Sequence, residues 1–259
     1  MKISLIIPVY NSSQIMDELN NRIHKVFVNL KLIDNFELIL VNDCSNDDSW
    51  DKIKNLASTF PYIKGINLSK NFGQHNAIMA GLNNCNGEKI ITLDDDLQHS
   101  PEFFPDILDK LDDFDVCYTY YRNRQHQKWK TIVSNINNIL SSFLLDKSLN
   151  IYLSSFRGFR RSVATKIIDF KDPDIYLDGL ILKSTNKIAM ITINHSARLK
   201  GDSNYTFKKL LVLWSDMVLN FSFYPFRSSS VIGVLLKIIV KLFRKKRRVQ
   251  YEILEKTFT

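Results

Sequence analysis

The chain has 259 residues, 45% hydrophobic and 24% charged, which is enough apolar material for a sizeable core and too much for a disordered protein. The formal net charge is +8, but Lys237, Lys241, Arg244, Lys245, Lys246, Arg247 and Arg248 supply seven positive charges with no acid among them, and without them the balance is +1. A nearly neutral body argues against a broad nucleic-acid face, where positive charge spreads along a groove, so the basicity points to a local anionic partner.

The opening MKISLIIPVYN turns polar too soon for the core of a signal peptide and reads as a buried first strand. Further β-rich runs fall at Ile3–Ile7, Phe36–Val41, Ile63–Leu68, Lys89–Leu93 and Asp115–Thr119. Between them apolar residues recur at helical spacing. Ile15, Leu19, Ile23, Val26 and Leu30 form one set, Trp50, Ile53 and Leu56 a second. A third helix follows Gly73, and a fourth follows Ser100-Pro101, an N-cap with proline at the first helical position. Strand alternating with helix predicts a parallel sheet covered on both faces.

Beyond residue 120 the pattern predicts a helix over 128–145, a helix near Asp174–Ser184, a strand at Ile188–Asn194 and a long helix over 205–222. Val231 to Arg248 is dense in apolar residues but interrupted by Lys237 and Lys241. It is shorter than the roughly 20 apolar residues that span a bilayer. It suits an interfacial helix with a basic flank, drawn to anionic headgroups; an amphipathic helix packed on its own domain is the plainer alternative. The cysteines Cys44, Cys85 and Cys117 are odd in number and far apart, which suggests neither disulfides nor zinc and fits a reducing compartment. The five histidines, His75 and His99 among them, show no metal-site spacing and read as structural or substrate-adjacent. Tyr118, Tyr120 and Tyr121 either pack on the sheet or line a groove.

Ligands of such sheets bind beyond the carboxyl ends of the strands. Those ends are Pro8-Val9-Tyr10-Asn11, Asn42-Asp43-Cys44-Ser45, Ser69-Lys70-Asn71 and Asp94-Asp95-Asp96. If the fourth strand continues through its three acids, Asp94 and Asp96 share a side and Asp95 points away. Two such carboxylates make a hard-oxygen site for Mg2+ or Mn2+ shared with substrate phosphates, and Gln98 could add a neutral oxygen. The bland alternative is a solvated turn.

The order IPVYN, ELILVNDCSNDDS, LSKNFGQHNAIMAGLNNCNGEKIITLDDDLQHSPE resembles inverting glycosyltransferase family 2, of GT-A fold. NFGQHNAIMAG, DDDLQHSPE, SSFRGFRRSV, YLDGL and RLKGDSNYTFKKLLVLW are similar to its polyprenyl-phosphate sugar synthase branch. The resemblance implies an α/β fold with a mostly parallel sheet flanked by helices. It implies a glycosyltransferase domain over 1–227; the residues beyond it, 228–259, read by their own composition as a basic amphipathic membrane-associated segment. Pro8, Tyr10 and Asp43 would surround the base and ribose. Asp94 would reach ribose and metal, Asp96 and Gln98 would hold the metal against the diphosphate, and Asp95 either touches the sugar or faces solvent. Arg122 and Arg198 would hold diphosphate or acceptor phosphate, with Lys130 and Ser134 further candidates for the latter.

The implied reaction is one displacement at the anomeric carbon, on the cytoplasmic face of the membrane, from a nucleotide-sugar donor to a lipid-linked acceptor. The metal and Arg198 would stabilise the leaving group. A polyprenyl phosphate needs no general base. A hydroxyl of a lipid-linked saccharide does, and Asp178 in YLDGL is its candidate; as the first-turn acid of a helix it has a purely structural reading too. Relatives often carry two spanning helices after the position of Phe226-Arg227, and here one short, lysine-interrupted segment stands. A peripheral membrane subunit without catalysis is the alternative from another class. A nucleotidyltransferase is disfavoured, because residues 8–20 hold neither glycine nor lysine. Homo-oligomerisation stays open.

Overall fold

The computed structural model describes residues 2–121, 148, 150–173, 175–193 and 249–259. The predicted helices over 128–145 and 205–222 and the basic segment 231–248 lie outside the described residues.

Strands β1 (Ile3–Val9), β2 (Phe36–Asn42), β3 (Ile63–Leu68) and β4 (Lys89–Thr92) lie side by side and parallel, in the order β4, β1, β2, β3. All seven residues of β1 and of β2 are buried, as expected of central parallel strands covered on both faces. Their helices divide between those faces. Helices α1 (Met16–Asn29), α2 (Ser49–Thr59) and α4 (Phe104–Asp113) pack with Ile3, Leu5, Ile7 and Val9. Helix α3 (Gln74–Leu82) packs with Ile6, Ile39, Val41 and Ile66 on the other. The alternation along β1 and β2 thus feeds two apolar layers, giving an α/β/α sandwich.

The sheet continues past β4 through β6 (Arg157–Arg160), β5 (Val116–Tyr121) and β7 (Ile188–Ile193). β6 runs antiparallel to both β4 and β5, whereas β5 and β7 are parallel. Helices α5 (Arg161–Ile168) and α6 (Leu177–Ser184) join the α3 face. Six of the eight described strands share one direction, so the mostly parallel sheet flanked by helices is present.

Two expectations need correction. Residues 253–256 do not belong to a membrane-facing tail: Ile253–Lys256 form β8, antiparallel to β3 at the sheet edge. Backbone pairing, Trp50 Nε1 donating to Glu255 (2.8 Å) and Ser69 donating to Glu252 (2.9 Å) hold it there. An otherwise open β3 edge is thereby covered. In addition, β4 ends at Thr92, so strand alternation does not govern the three acids.

Candidate functional site

Register places the rim. Thr92 pairs with Ile6, while β1 runs on beside β2 to the pair Val9 and Asn42. The chain after Thr92 is therefore free of ladder bonds and passes beside the end of β1. Pro8 is buried where β1 has already lost its β4 neighbour, so its missing N–H leaves no β4 carbonyl unpaired.

The first two loops are stitched together. Asn11 N–H donates to Ser45 Oγ (3.0 Å), Asn46 N–H to Asn11 Oδ1 (2.8 Å) and Ser12 N–H to Ser49 Oγ (3.0 Å). Asp43, just past β2 and 4% exposed, accepts the N–H groups of Phe72 and Gly73, both at 2.7 Å, one on each carboxylate oxygen. It fastens the loop that leads from β3 into α3. Tyr10 stays 38% exposed beside it.

The acids after β4 diverge rather than alternate. Asp95 turns to the end of β1, where Oδ2 accepts from Ser12 Oγ (2.6 Å) and Tyr10 N–H (3.1 Å). Burial lifts its pKa to about 6, against those two bonds and with help from the charges of Asp94 and Asp96. Asp95 thus does point away from Asp94, but into hydrogen bonds at the end of β1 and not into solvent. Asp94 turns toward α3 and the loop before β6, with Gln74 donating to Oδ1 and Ser155 Oγ to Oδ2 (2.7 Å). Burial would raise its pKa, but the bonds from His99 and Ser155 outweigh it and hold the carboxyl below the usual range. Asp96 Oδ1 accepts Gln98 N–H (3.1 Å) across a tight turn, made possible by Leu97 at φ 59.

Two carboxylates and an amide oxygen on one five-residue stretch suit a hard cation that takes its remaining ligands from phosphate and water. Among the described residues no group of three or more His, Cys, Asp or Glu forms a cage made by protein alone. By the chemistry of their oxygens alone, the three donors fit Mg2+ or Mn2+ shared with a ligand.

Asp178 lies elsewhere in character. It is in the first turn of α6, 8% exposed, and is paired with Arg157 Nη1, while Tyr118 Oη donates to the same oxygen (2.9 Å). Arg157 is 1% exposed, and its Nε donates to Thr92 Oγ1 (3.3 Å). Arg122, Lys130, Ser134 and Arg198 lie outside the described residues. Sequence reasoning missed the contributions of Ser12, Gln74, Ser155 and Arg157. Only His99 carried a local signal, five residues after Asp94.

A family model described as Glycosyl transferase family 2 matches residues 4–168. The chain is 32% identical over 244 residues to undecaprenyl-phosphate 4-deoxy-4-formamido-L-arabinose transferase of Pseudomonas syringae pv. syringae, covering 93% of this chain and 72% of that protein. To the protein of the same description from Salmonella choleraesuis it is 33% identical over 239 residues, with 92% and 72% covered. Among solved structures it is similar to glucosyl-3-phosphoglycerate synthase from Mycobacterium tuberculosis in complex with Mn2+, UDP and phosphoglyceric acid. That match has a TM-score of 0.59 at 16% identity, over 84% of this chain and 77% of the other. A mannosyltransferase from Pyrobaculum calidifontis in complex with GDP-Man and Mn2+ matches with TM-score 0.54 at 16% identity, over 74% and 55%. These likenesses show the shared GT-A fold.

Proposed function

The chain belongs to glycosyltransferase family 2, and from that premise we propose that it moves a sugar from a nucleotide-sugar donor to the phosphate of a polyprenyl carrier, inverting the anomeric centre. The observation that carries the choice of acceptor is the state of Asp178. A sugar hydroxyl must lose its proton, so it needs a carboxylate with a lone pair facing the acceptor. Asp178 is instead 8% exposed, with Oδ1 the counter-ion of a buried arginine and the acceptor of a buried tyrosine, so it is held inside the fold rather than presented to an acceptor. A phosphate acceptor arrives ionised and makes no such demand. The undecaprenyl-phosphate in the description of the relatives supports the same reading.

In this reading Tyr10 and Asp43 border the base and ribose, Asp43 through the loop that it fastens. Asp94, Asp96 and Gln98 hold Mg2+ or Mn2+. When bound, the cation would offset negative charge on the departing diphosphate. Asp95 shapes the pocket from the β1 side through Ser12 and the Tyr10 amide. Arg122 and Arg198, with Lys130 and Ser134, supply positive charge or donors for phosphate oxygens. Among the described residues no helix is long and apolar enough to cross a membrane. Residues 231–248 are the proposed contact with anionic lipid at the cytoplasmic face. Binding to anionic but not neutral vesicles, weakening as salt rises, checks this.

A transfer assay with radiolabelled sugar decides the acceptor. Undecaprenyl phosphate and dolichyl phosphate are compared with lipid-linked saccharides across several nucleotide sugars. Label on bare lipid phosphate supports the proposal. Label only on saccharides moves the activity to the hydroxyl reading, and no turnover with any donor favours a non-catalytic membrane subunit.

A further inference from the structure

Asp94 is gripped from three separate parts of the chain, and two of the grips have no part in the reading above. On one oxygen sits the Gln74 amide. On the other, Ser155 Oγ donates at 2.7 Å and His99 Nε2 lies at 3.4 Å, while Nε2 and Ser155 Oγ are 3.1 Å apart. An ionised carboxylate only accepts, so Nε2 carries its hydrogen and shares it between Asp94 and Ser155. Nε2, Oγ and Oδ2 form a closed triangle of polar contacts.

Both partners are themselves fixed. His99 is brought back beneath Asp94 by the left-handed Leu97, is 7% exposed, and packs tilted against Phe156 with ring centres 5.2 Å apart. Ser155 is anchored through its carbonyl, which accepts from Thr92 Oγ1 at 3.0 Å. Arg157, two residues on, donates to that same Thr92 oxygen. The strand end bearing Asp94 and the loop bearing Ser155 are thus one tied unit.

We propose that His99 and Ser155 are positioning residues for the cation site: they fix the rotation of the Asp94 carboxylate and fill both lone pairs of Oδ2, which leaves Oδ1, whose other lone pair takes the Gln74 amide, as the ligating oxygen. This rests on the reading of Asp94 as a metal ligand. Ligating carboxylates are generally held by further hydrogen bonds, and loss of such a partner typically weakens metal affinity about 10- to 100-fold. A purely space-filling His99 would instead affect stability and leave the affinity of the folded protein unchanged.

The test titrates Mn2+ into the whole 259-residue chain, reading the free ion by electron paramagnetic resonance, with UDP, GDP, CDP and ADP added in turn. Circular dichroism at the same temperature checks folding. His99→Ala and Ser155→Ala are expected to weaken Mn2+ by about 10- to 100-fold. In the transfer assay both should raise the KM for Mn2+, with kcat recovering at saturating Mn2+. His99→Gln, whose amide nitrogen can reach the same oxygen, is expected to restore most of the affinity. If Asp94→Asn abolishes binding while both alanine variants bind as tightly as the unaltered chain, the inference is overturned alone. If Asp94→Asn binds normally, or the unaltered chain binds no Mn2+ with any of the four nucleotides, the ligand reading falls and the inference with it. Should His99→Ala fail to fold, Ser155→Ala, which removes only a hydroxyl, decides.

Discussion

Cys44 holds its backbone at φ 58, and Asn11 and Leu97 hold theirs at 56 and 59. Each follows the carboxyl end of a strand, at β2, β1 and β4. Left-handed backbone costs a residue with a Cβ roughly 1–2 kcal/mol, and three of the four non-glycine residues that adopt it among the described residues, all but Lys31, fall on the rim. Cys44 gains little in return, a single 4.0 Å contact from its thiol to the Ser69 carbonyl. Cys44→Gly is therefore expected to stabilise the protein by about 1 kcal/mol, read from urea unfolding. Asp178 offers a sharper test. With Asp178→Asn, Arg157 keeps its charge at 1% exposure but loses the Asp178 charge paired with it. Stability should fall by about 3 kcal/mol, and transfer by the fraction that stays folded should persist. Loss of transfer at unchanged stability would instead mark Asp178 as a base.

Helix α3 lies close on β1 because residue 81 has no side chain. A Cβ at Gly81 would run into the Ile6 side chain. Gly81→Ala adds helix propensity, yet is expected to destabilise by about 1–3 kcal/mol, measured by thermal melting, because the packed sheet cannot retreat. At the opposite end of the sheet from the rim, β2 buries a carboxylate. Glu37 is 2% exposed and accepts from Ser4 Oγ (2.6 Å), Lys64 Nζ (2.8 Å) and Asn86 N–H (2.5 Å). Burial alone would raise its pKa, but these bonds bring it below 4.5. A depressed folded pKa gives stability that is present above the unfolded value and lost as pH falls through the folded one. The stability gap between the unaltered chain and Glu37→Gln should thus be widest near pH 7. It should shrink below the ordinary carboxylate range, followed by urea midpoints across pH.

At the scale of the whole molecule, the rim unites loops from β1, β2, β3 and β4 with the loop before β6, so the site exists only when the sheet is assembled. Its proposed cation gives a direct prediction. Chelation with EDTA should abolish sugar transfer, and Mn2+ or Mg2+ should restore it in the unaltered chain. Asp96→Ala should lower transfer at least about 100-fold, because the charge on the leaving diphosphate is then poorly met. Transfer by Asp96→Ala that is undiminished, with the same dependence on divalent ion as the unaltered chain, would remove the acidic loop from the mechanism.

The sequence by itself determined the alternation of β1 to β4 with their helices, and hence the parallel sheet, the rim and the acidic triplet upon it. Those features are local: a run of buried β-branched residues, a 3.6-residue spacing, a proline after a cap. Ile63–Leu68 even has the bounds expected of it. What it could not determine was where each carboxylate points. Strand alternation holds only while ladder bonds hold, and register with β1 ends them at Thr92, so Asp94 and Asp95 part toward partners that, His99 apart, are 20 to 85 residues distant. β6 and β8 were likewise illegible, since RGFR and ILEK lack the apolar run that marks β4 and are set by the edges they cover. The pairing of Asp178 with Arg157 belongs with them, because a buried charge chooses its counter-ion across the fold and not along the chain.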